Sequence, residues 1–255
     1  MNEVKAKKFL GQHFLTDESI AQRIVDSLSG LSSNVIEIGP GMGVLTKYLI
    51  NKQGLNFHVV EIDRESVAWL YEHYPTLDVI EGDFLKLDLS VLFHDTFAVI
   101  GNFPYNISSQ ILFRVFDCRN EAVEMVGMFQ KEVAERVAAG PGSKTYGILS
   151  VLLSAFYNIE YLFTVHEHVF NPPPKVKSAV IRLTRNDVTA LECDEQLFVK
   201  VVKAGFNQRR KTLRNALRSA ALPIEEVEED LLAKRAEQLS VADFIHLTKT
   251  IQSCL

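Results

Sequence analysis

Short apolar runs alternate with amphipathic segments along the first two thirds of the chain. The runs with the length and β-branched composition of buried strands are “NVIEIG” (34–39), “FHVVEID” (57–63), “DVIEGD” (78–83), “FAVIGN” (97–102) and “VEMVGMF” (123–129). Segments with helical periodicity lie between them, such as “RESVAWLYEHY” (64–74) and “SSQILFRVF” (108–116). Because alternating strands and helices are typical of a parallel, doubly wound sheet, the pattern predicts a Rossmann-like α/β fold.

The pattern changes towards the C-terminal end. “EYLFTV” (160–165) and “SAVIRLT” (178–184) are predicted to form a closing strand pair around “FNPPPKVK” (170–177). After about residue 186, helical periodicity continues and the sequence contains a single proline, Pro223. We therefore predict a boundary near residue 188, between a Rossmann-like domain over 1–188 and a small all-helical domain over 189–255.

The composition is that of an ordinary soluble globular protein, with 47% apolar and 23% charged residues among 255. The formal net charge of −5 means that binding of nucleic acid requires a local concentration of positive charge. Cys118, Cys193 and Cys254 are dispersed and odd in number, which indicates a reducing compartment without a disulfide framework. Since no apolar run suits a signal peptide or a membrane span, we expect a cytoplasmic protein without a membrane partner.

The sequence favours neither a metal site nor a permanent oligomer. His166 and His168 lie two residues apart, but no further ligand cluster accompanies them, so we expect no bound metal. No long apolar stripe marks an interface between subunits, which predicts a monomer.

The loop “EIGPGMG” (37–43) joins the first predicted strand to the helix after it. Gly39, Gly41 and Gly43 allow the backbone to pass close to a ligand. The third glycine comes one residue earlier than in the dinucleotide fingerprint G-x-G-x-x-G, and Pro40 lies inside the motif. This spacing argues against a cradle for a pyrophosphate.

Acidic residues end the next two predicted strands. Glu61 can accept hydrogen bonds from both hydroxyls of a ribose. Asp83 can accept one from an adenine amino group, with Phe84 beside the ring. These residues fit an adenosine-containing cofactor without a pyrophosphate, and we predict S-adenosylmethionine. Glu37 is expected to contact the amino-acid end of this cofactor. The alternative is a tight strand–helix turn with solvated strand ends.

The stretch “GNFPYN” (101–106) follows the fourth predicted strand. The side chain of Asn102 and the backbone at Phe103 or Pro104 offer two carbonyl acceptors. Pro104 also stiffens the loop, and Tyr105 offers a flat face on which a base can stack. Two acceptors and a stacking ring suit the exocyclic amino group of adenine, which they can align for methyl transfer. The alternative is a structural turn with core aromatic residues.

This motif resembles the (Asn/Asp)-Pro-Pro-Tyr box of N6-adenine methyltransferases, and more closely the Asn-Leu-Pro-Tyr variant of the ribosomal RNA adenine dimethyltransferases. Further blocks in the expected order are similar to the bacterial small-subunit members of that family: “KKFLGQHFL”, “EIGPGMGVLT”, “VEID”, “EGDFL”, “QKEVAERVAAGPGSKTYGILSV”, “FNPPPKVKSAVIRL” and “FNQRRKTLRNAL”. The resemblance runs from about residue 5 to residue 219.

The resemblance implies a class I S-adenosylmethionine-dependent methyltransferase fold, a Rossmann-like doubly wound sheet, with a small all-helical C-terminal domain that contacts RNA and the ribosome. It also implies the activity, namely dimethylation at N6 of two adjacent adenosines in the 3′-terminal hairpin of 16S rRNA. The implied substrate is this rRNA within the small ribosomal subunit, late in its biogenesis.

The resemblance also assigns site residues. The cofactor-binding positions that it carries over are His13, Leu15, Gly39, Glu61, Asp83 and Asn102, and the residues themselves add Glu37, Gly41 and Phe84. The predicted catalytic residues are Asn102, Pro104, Tyr105 and Phe170. His13 stands where many members have Asn, so its backbone or a small polar contact is expected to matter.

Two aromatic residues carry further expectations from the resemblance. Phe103 replaces the Leu of the family motif and is expected to be a bulkier neighbour of the target base. Phe170 is expected to stack on the second face of that base, although the sequence alone fits a core position equally well.

A basic segment is the predicted RNA-binding region. Between Lys200 and Arg218 the chain has seven basic residues and no acidic one. If “RRKTLRNALRSA” (209–220) is a helix, then Arg210, Arg214 and Arg218 lie on one stripe. The residues expected to contact RNA are Arg209, Arg210, Lys211, Arg214 and Arg218. The alternative is a structural role, with acidic partners from “EEVEED” (225–230).

Other functions stay open on the sequence: a large-subunit rRNA or DNA N6-adenine methyltransferase, or a non-catalytic ribosome-assembly factor. The blocks “NPPPKVKSAV” and “NQRRKTLRNAL” favour the small subunit by resemblance. The presence of Glu61, Asp83 and the Asn-x-Pro-Tyr motif argues against a loss of catalysis.

Overall fold

The computed structural model describes residues 4–255, which form two compact units. One unit comprises the described residues up to Ala134 together with Ile159–Arg185, and the other comprises Glu135–Asn158 and Asn186–Leu255. The division into 1–188 and 189–255 stays a prediction. The contacts add residues 135–158 to the second unit, because a helix of that stretch packs against later helices of the chain.

The secondary structure follows the predicted alternation. The strands are β1 (Phe14–Leu15), β2 (Asn34–Ile38), β3 (Asn56–Glu61), β4 (Asp78–Glu81), β5 (Phe97–Asn102), β6 (Ala122–Gln130), β7 (Tyr157–Val165), β8 (Phe170–Asn171) and β9 (Ser178–Arg185). The helices are α1 (Glu18–Asp26), α2 (Thr46–Leu49), α3 (Arg64–His73), α4 (Leu89–Leu92), α5 (Ser108–Asp117), α6 (Lys131–Val137), α7 (Ile148–Ser154), α8 (Glu195–Asn207), α9 (Leu213–Ser219), α10 (Glu229–Ala233) and α11 (Val241–Ser253).

Seven strands form one sheet in the order β4-β3-β2-β5-β6-β9-β7. The strands β2 to β6 are parallel, and β9 runs antiparallel to β6. This arrangement confirms the predicted α/β sheet and its closing pair, β7 and β9. From β2 the chain continues to β3 and β4 on one side, whereas β5 and β6 lie on the other. Open α/β sheets bind ligands at the carboxyl ends of the strands beside such a reversal.

The central strands β2 and β5 are mostly apolar, as expected of parallel strands that are buried on both faces, and Glu37 is the charged exception within β2. Ala21, Ile24 and Val25 of α1 join residues of β2, β5 and β6 in one buried cluster. Each apolar run stops where its strand reaches the edge of the sheet. Polar residues follow there, which places Glu61 and Asn102 at the carboxyl edge.

The second unit is built mainly from helices. Within it, α7, α9 and α11 each pack against α8. The core residues Phe198, Leu213, Phe244 and Leu247 are fully buried. None of the helices among residues 4–255 is long and apolar enough to cross a membrane.

Candidate active site

A cavity of about 250 Å³ lies at the carboxyl ends of β2 to β5. It brings together residues that the sequence predicted from five separate segments: His13, Gly39, Gly41, Glu61, Asp83, Phe84, Asn102, Pro104 and Tyr105. A smaller cavity of about 40 Å³ is lined by Leu15, Glu37, Gly39 and Asn102. Gly39 and Asn102 therefore border both spaces.

The glycine loop requires the absence of a side chain at Gly41. This residue has a φ of +56°, in the left-handed region that favours glycine. A Cβ there would lie 2.8 Å from Cε1 of Phe14, a residue of the N-terminal segment that also lines the cavity. The loop is therefore shaped to keep the backbone close to whatever occupies the cavity.

The carboxylate of Glu61 holds this loop in place. It accepts hydrogen bonds from the backbone N–H of Gly41 at 3.0 Å and from those of Ile62 and Asp63, each at 2.8 Å. Burial raises the pKa of Glu61, while the three N–H donors act in the opposite direction. A carboxylate offers about four lone-pair sites, so a further donor such as a ribose hydroxyl can still be accepted.

The ends of β3 and β4 supply an apolar surface beside these acceptors. Asp83 accepts the N–H of Leu85 at 3.0 Å, and the ring of Phe84 is buried. Ile62 and Leu85 also line the cavity, although we did not single them out from the sequence. The sequence carried a signal for Ile62, because it is an apolar residue directly after a strand-ending acid. In the structure its side chain is 53% exposed. Apolar side chains in this part of the lining offer surface against which a purine ring can pack.

Glu37 is a fully buried carboxyl group that lines the smaller cavity. The hydroxyl of Thr46 donates to its Oε2 at 2.7 Å. Burial is the main cause that raises the pKa of Glu37 to about 8, and the neighbouring charge of Glu61 adds to the effect. Tyr74 is a further titratable group within electrostatic reach. At neutral pH the protein therefore holds Glu37 mainly in its protonated form.

We expect Glu37→Gln to increase the free energy of unfolding at pH 9 but not at pH 4. In the wild type, Glu37 stays neutral in the folded state up to a pKa of about 8, whereas in the unfolded chain it ionises near its ordinary value. The contribution of Glu37 to the free energy of unfolding is therefore complete below the pKa of this group in the unfolded chain, and it is lost as the pH rises through about 8. The loss is on the order of a few kcal/mol, and Gln removes it. Denaturant unfolding of both proteins from pH 4 to 9 checks this, and parallel pH profiles would contradict it.

Asn102 is held in one orientation by the N-terminal segment. Its Nδ2 donates to the backbone carbonyl of His13 at 2.9 Å, across 89 residues of sequence. Because the amide nitrogen is used in this way, Oδ1 is the atom left to accept a hydrogen bond from a ligand. His13 thus contacts Asn102 through its backbone carbonyl, and its role in cofactor binding stays a prediction.

Tyr105 is fixed from two sides. Its hydroxyl is hydrogen-bonded to Oγ of Ser178, a buried residue at the start of β9 that we did not single out from the sequence. Its ring lies 5.2 Å from the imidazole of His13, at an interplanar angle of 32°. Nδ1 of His13 is in turn 2.7 Å from the carbonyl oxygen of Pro172. The ring predicted to stack on a base is therefore positioned before any ligand binds.

Phe103 lies differently from the sequence-based expectation of a bulky neighbour to the target base. Its ring is 1% exposed and packs 5.0 Å from the ring of Phe129. A Cβ on Gly101 or Gly127 would come within 2.6 or 2.1 Å of this ring, respectively. The bulk that distinguishes Phe from Leu is thus accommodated by two glycines of neighbouring strands.

Phe170 belongs to the hydrophobic core in this structure. It is 4% exposed and pairs with Leu15 across the two-stranded β1–β8 ribbon. It lies in the buried cluster that also contains Ile24 and Val165. The structure therefore does not bring Phe170 to the base-binding space, and its stacking role stays a prediction.

The basic segment differs from the single helix that the sequence suggested. α9 begins only at Leu213, so Arg209, Arg210 and Lys211 lie in the preceding turn. The break arises because “NQRRKT” (207–212) contains no apolar residue that could bury a helical face. Nη2 of Arg209 donates to the carbonyl of Lys144.

Within this basic segment, Arg214 forms an ion pair with Glu229. Glu229 belongs to the acidic run 225–230, so Arg214 has an acidic partner of the kind that the structural alternative requires, and its contact with RNA stays a prediction. Arg210, Lys211 and Arg218 are exposed. Among residues 4–255, no group of three or more His, Cys, Asp or Glu side chains could hold a metal ion.

Comparison with known proteins agrees with this geometry. The family model “Ribosomal RNA adenine dimethylase” matches residues 3–253. Proteins named ribosomal RNA small subunit methyltransferase A are 62% identical in Cytophaga hutchinsonii, over 98% of this chain and 99% of theirs, and 58% identical in Bacteroides thetaiotaomicron, over 100% and 97%.

Solved structures extend the comparison to the fold. A dimethyladenosine transferase from Plasmodium falciparum is 28% identical, with a TM-score of 0.79 over 94% of this chain and 98% of its own. The 23S rRNA methyltransferase ErmE has the same fold, with a TM-score of 0.70 and 24% identity over 92% of this chain and 99% of its own. These likenesses confirm the predicted class I methyltransferase fold and the resemblance found in the sequence. The chain belongs to the ribosomal RNA adenine dimethylase family.

Proposed function

We propose that the protein transfers methyl groups from S-adenosylmethionine to N6 of two adjacent adenosines in the 3′-terminal hairpin of 16S rRNA. The substrate is the small ribosomal subunit at a late stage of its biogenesis, and the enzyme works in the cytoplasm as a monomer. The observation that carries the proposal is the orientation of Asn102, whose Oδ1 is left to accept a hydrogen bond beside Tyr105. The names of the relatives support the small-subunit substrate.

The residues around the cavity fit S-adenosylmethionine, which supplies an electrophilic methyl group. Glu61 would accept hydrogen bonds from the ribose hydroxyls, and Asp83 would accept one from the adenine amino group. The adenine ring would pack against Ile62 and Leu85. Glu37 lines the smaller cavity together with Leu15 and Asn102, and the amino-acid end of the cofactor would bind there. A cationic amino group there would favour the carboxylate form of Glu37.

The chain positions the target amino group with two acceptors. One is Oδ1 of Asn102. The carbonyl of Pro104 already accepts from the N–H of Ile107 at 3.3 Å and from the hydroxyl of Ser108 at 3.2 Å, which favours the carbonyl of Phe103 as the second acceptor. Two N–H···O=C bonds hold the nitrogen in place and turn its lone pair towards the methyl donor. Alignment and preorganised dipoles then supply much of the rate enhancement without a covalent nucleophile.

The ribose contact predicts the effect of replacing Glu61. We expect Glu61→Ala to weaken binding of S-adenosylmethionine by roughly 10- to 150-fold, since hydrogen bonds to charged groups are worth about 1.5–3 kcal/mol. It also leaves the N–H groups of Gly41, Ile62 and Asp63 without their acceptor, so the melting temperature should fall. Glu61→Gln keeps one carbonyl oxygen. Its cofactor affinity and its melting temperature are both expected to lie between those of the wild type and Glu61→Ala. Calorimetric titration is the measurement, and a folded Glu61→Ala protein with wild-type affinity would exclude this role.

Exposed basic residues of the second unit are proposed to bind rRNA phosphates. We expect Arg210→Ala and Arg218→Ala each to weaken binding to small subunits and to lower the slope of log affinity against log salt by about one unit. Lys249→Ala is the matched control, because Lys249 is paired with Glu192 at 2.9 Å. Arg214 is a poor test, since its removal also breaks the ion pair with Glu229. Identical salt slopes for wild type, Arg210→Ala and Arg218→Ala would contradict this assignment.

The function itself is tested by offering labelled S-adenosylmethionine with competing acceptors. We expect the protein to label small subunits from cells that lack the modification, but neither large subunits nor duplex DNA. Label that appears only on large-subunit rRNA or on DNA would replace the proposal with another methyltransferase activity. Binding to small subunits without any transfer would indicate an assembly factor instead.

A further inference from the structure

Phe9 has an unusually exposed ring beside the active-site cavity. The side chain is 78% exposed and lies on the short 3₁₀ turn Lys8–Leu10. The next residues along the chain, Leu10 and Gly11, line the cavity. Phe9 is therefore held close to the rim of the site while its ring stays in water.

The turn that bears Phe9 is tied to the catalytic loop. Nδ2 of Asn106, in the “GNFPYN” motif, donates to the carbonyl of Phe9 at 3.3 Å. Gly11 has a φ of +67°, and a Cβ on it would lie 2.6 Å from Oδ1 of Asn106. Only glycine fits this approach, so the position of Phe9 relative to the loop is set by the backbone.

The surroundings of Phe9 have the chemistry of a nucleic-acid surface. Lys8, on the same turn, is exposed. Asn106 and Gln110 line the cavity and are themselves exposed, so their amides can reach the edges of bases. Single exposed apolar residues are common on proteins, but an aromatic ring beside a cation and two amides is the combination that binds unpaired nucleotides.

The proposed reaction creates a need for such a ring. When one adenosine enters the cavity, the adjacent base loses a stacking partner, and extruding a base costs free energy. An exposed aromatic ring at the rim can replace the lost stacking without reading the sequence.

We propose that Phe9 is a stacking platform for the nucleobase adjacent to the adenosine in the cavity. This inference rests on the proposed function, because it needs an unpaired RNA strand at the site. Phe9 binds the substrate and takes no part in cofactor binding or in the chemical step.

The test compares Phe9→Ala, Phe9→Leu and Phe9→Trp on unmethylated small subunits, with Val91→Ala as control. Val91 is 72% exposed on α4 and belongs to no proposed site. We expect Phe9→Ala to raise the KM for subunits by roughly 5- to 150-fold. Its kcat and its affinity for S-adenosylmethionine should stay at the wild-type value. Phe9→Trp should have a KM close to the wild-type value, because its ring can stack. Phe9→Leu should have a raised KM like Phe9→Ala, because leucine is apolar but cannot stack.

Two outcomes overturn the inference: a wild-type KM for Phe9→Ala, or a wild-type KM for Phe9→Leu. In either case an active wild-type enzyme leaves the proposed function intact. A wild-type protein that transfers no methyl group to small subunits counts against the proposed function itself. In that case the affinity of each variant for small subunits still tests the role of Phe9, since loss of stacking weakens binding whether or not methyl transfer follows.

Discussion

Asn102→Ala is expected to lower the rate of methyl transfer by roughly 10²–10³-fold, the typical cost of losing one preorganised polar group at a reacting centre. Oδ1 of Asn102 is the acceptor that the structure leaves beside Tyr105, and the His13 carbonyl fixes its direction. The basic residues proposed to bind RNA are unchanged in this variant, so affinity for small subunits should change little. Single-turnover transfer with saturating cofactor and subunits is the measurement.

The substitution has a side effect that the experiment must separate. Without the side chain of Asn102, the carbonyl of His13 loses its hydrogen-bond donor. The segment around His13 then has one contact fewer with β5. Some loss of cofactor affinity is therefore expected and is removed by saturation. If the folded variant turns over near the wild-type rate under these conditions, Asn102 does not align the target nitrogen.

Gly127→Ala is expected to destabilise the protein by roughly 3 kcal/mol, at the upper end of the usual cost of overpacking a core. The new Cβ would lie 2.1 Å from Cε2 of Phe103 and 2.8 Å from Cε2 of Phe129. Gly127 is in β6, directly beside Gly101 of β5, so neither strand can move without breaking the sheet. Displacing Phe103 also shifts Asn102, and transfer should slow even where the variant is folded.

A double mutant makes this prediction specific. Phe103→Leu removes ring atoms that collide with the new Cβ, so it should recover part of the stability lost in Gly127→Ala, although the contact with Phe129 remains. Denaturant unfolding of both single mutants and the double mutant gives the coupling, expected to be about 1 kcal/mol or more. Additive effects would show that Phe103 does not occupy the space above Gly127.

The sheet and much of the site could be predicted because they depend on local sequence. A parallel strand buried on both faces is a continuous apolar run, and such a run ends where the strand reaches the edge of the sheet. The polar residue at that point, such as Glu61 or Asn102, must then lie among the carboxyl ends. The glycine loop gave an equally local signal, since Gly41 has a positive φ that favours glycine.

The remaining features depend on contacts between distant segments. The partner of Asn102 is a backbone carbonyl 89 residues away, and backbone atoms leave no mark on sequence. Ser178 meets Tyr105 only because β9 returns antiparallel beside β6. The core position of Phe103 depends on the pairing of Gly101 with Gly127. Whether Phe170 is a core or a stacking residue likewise depends on its register with Leu15.

The measurement that most directly tests the central claim is the position and number of methyl groups added to the RNA. Small subunits that lack the modification are incubated with the protein and S-adenosylmethionine, and the 16S rRNA is then digested and analysed by mass spectrometry. We predict N6,N6-dimethyladenosine at two adjacent positions of the 3′-terminal hairpin, with almost none from Asn102→Ala in the same time. Methyl groups at other positions, on atoms other than N6, or absent altogether would contradict the account.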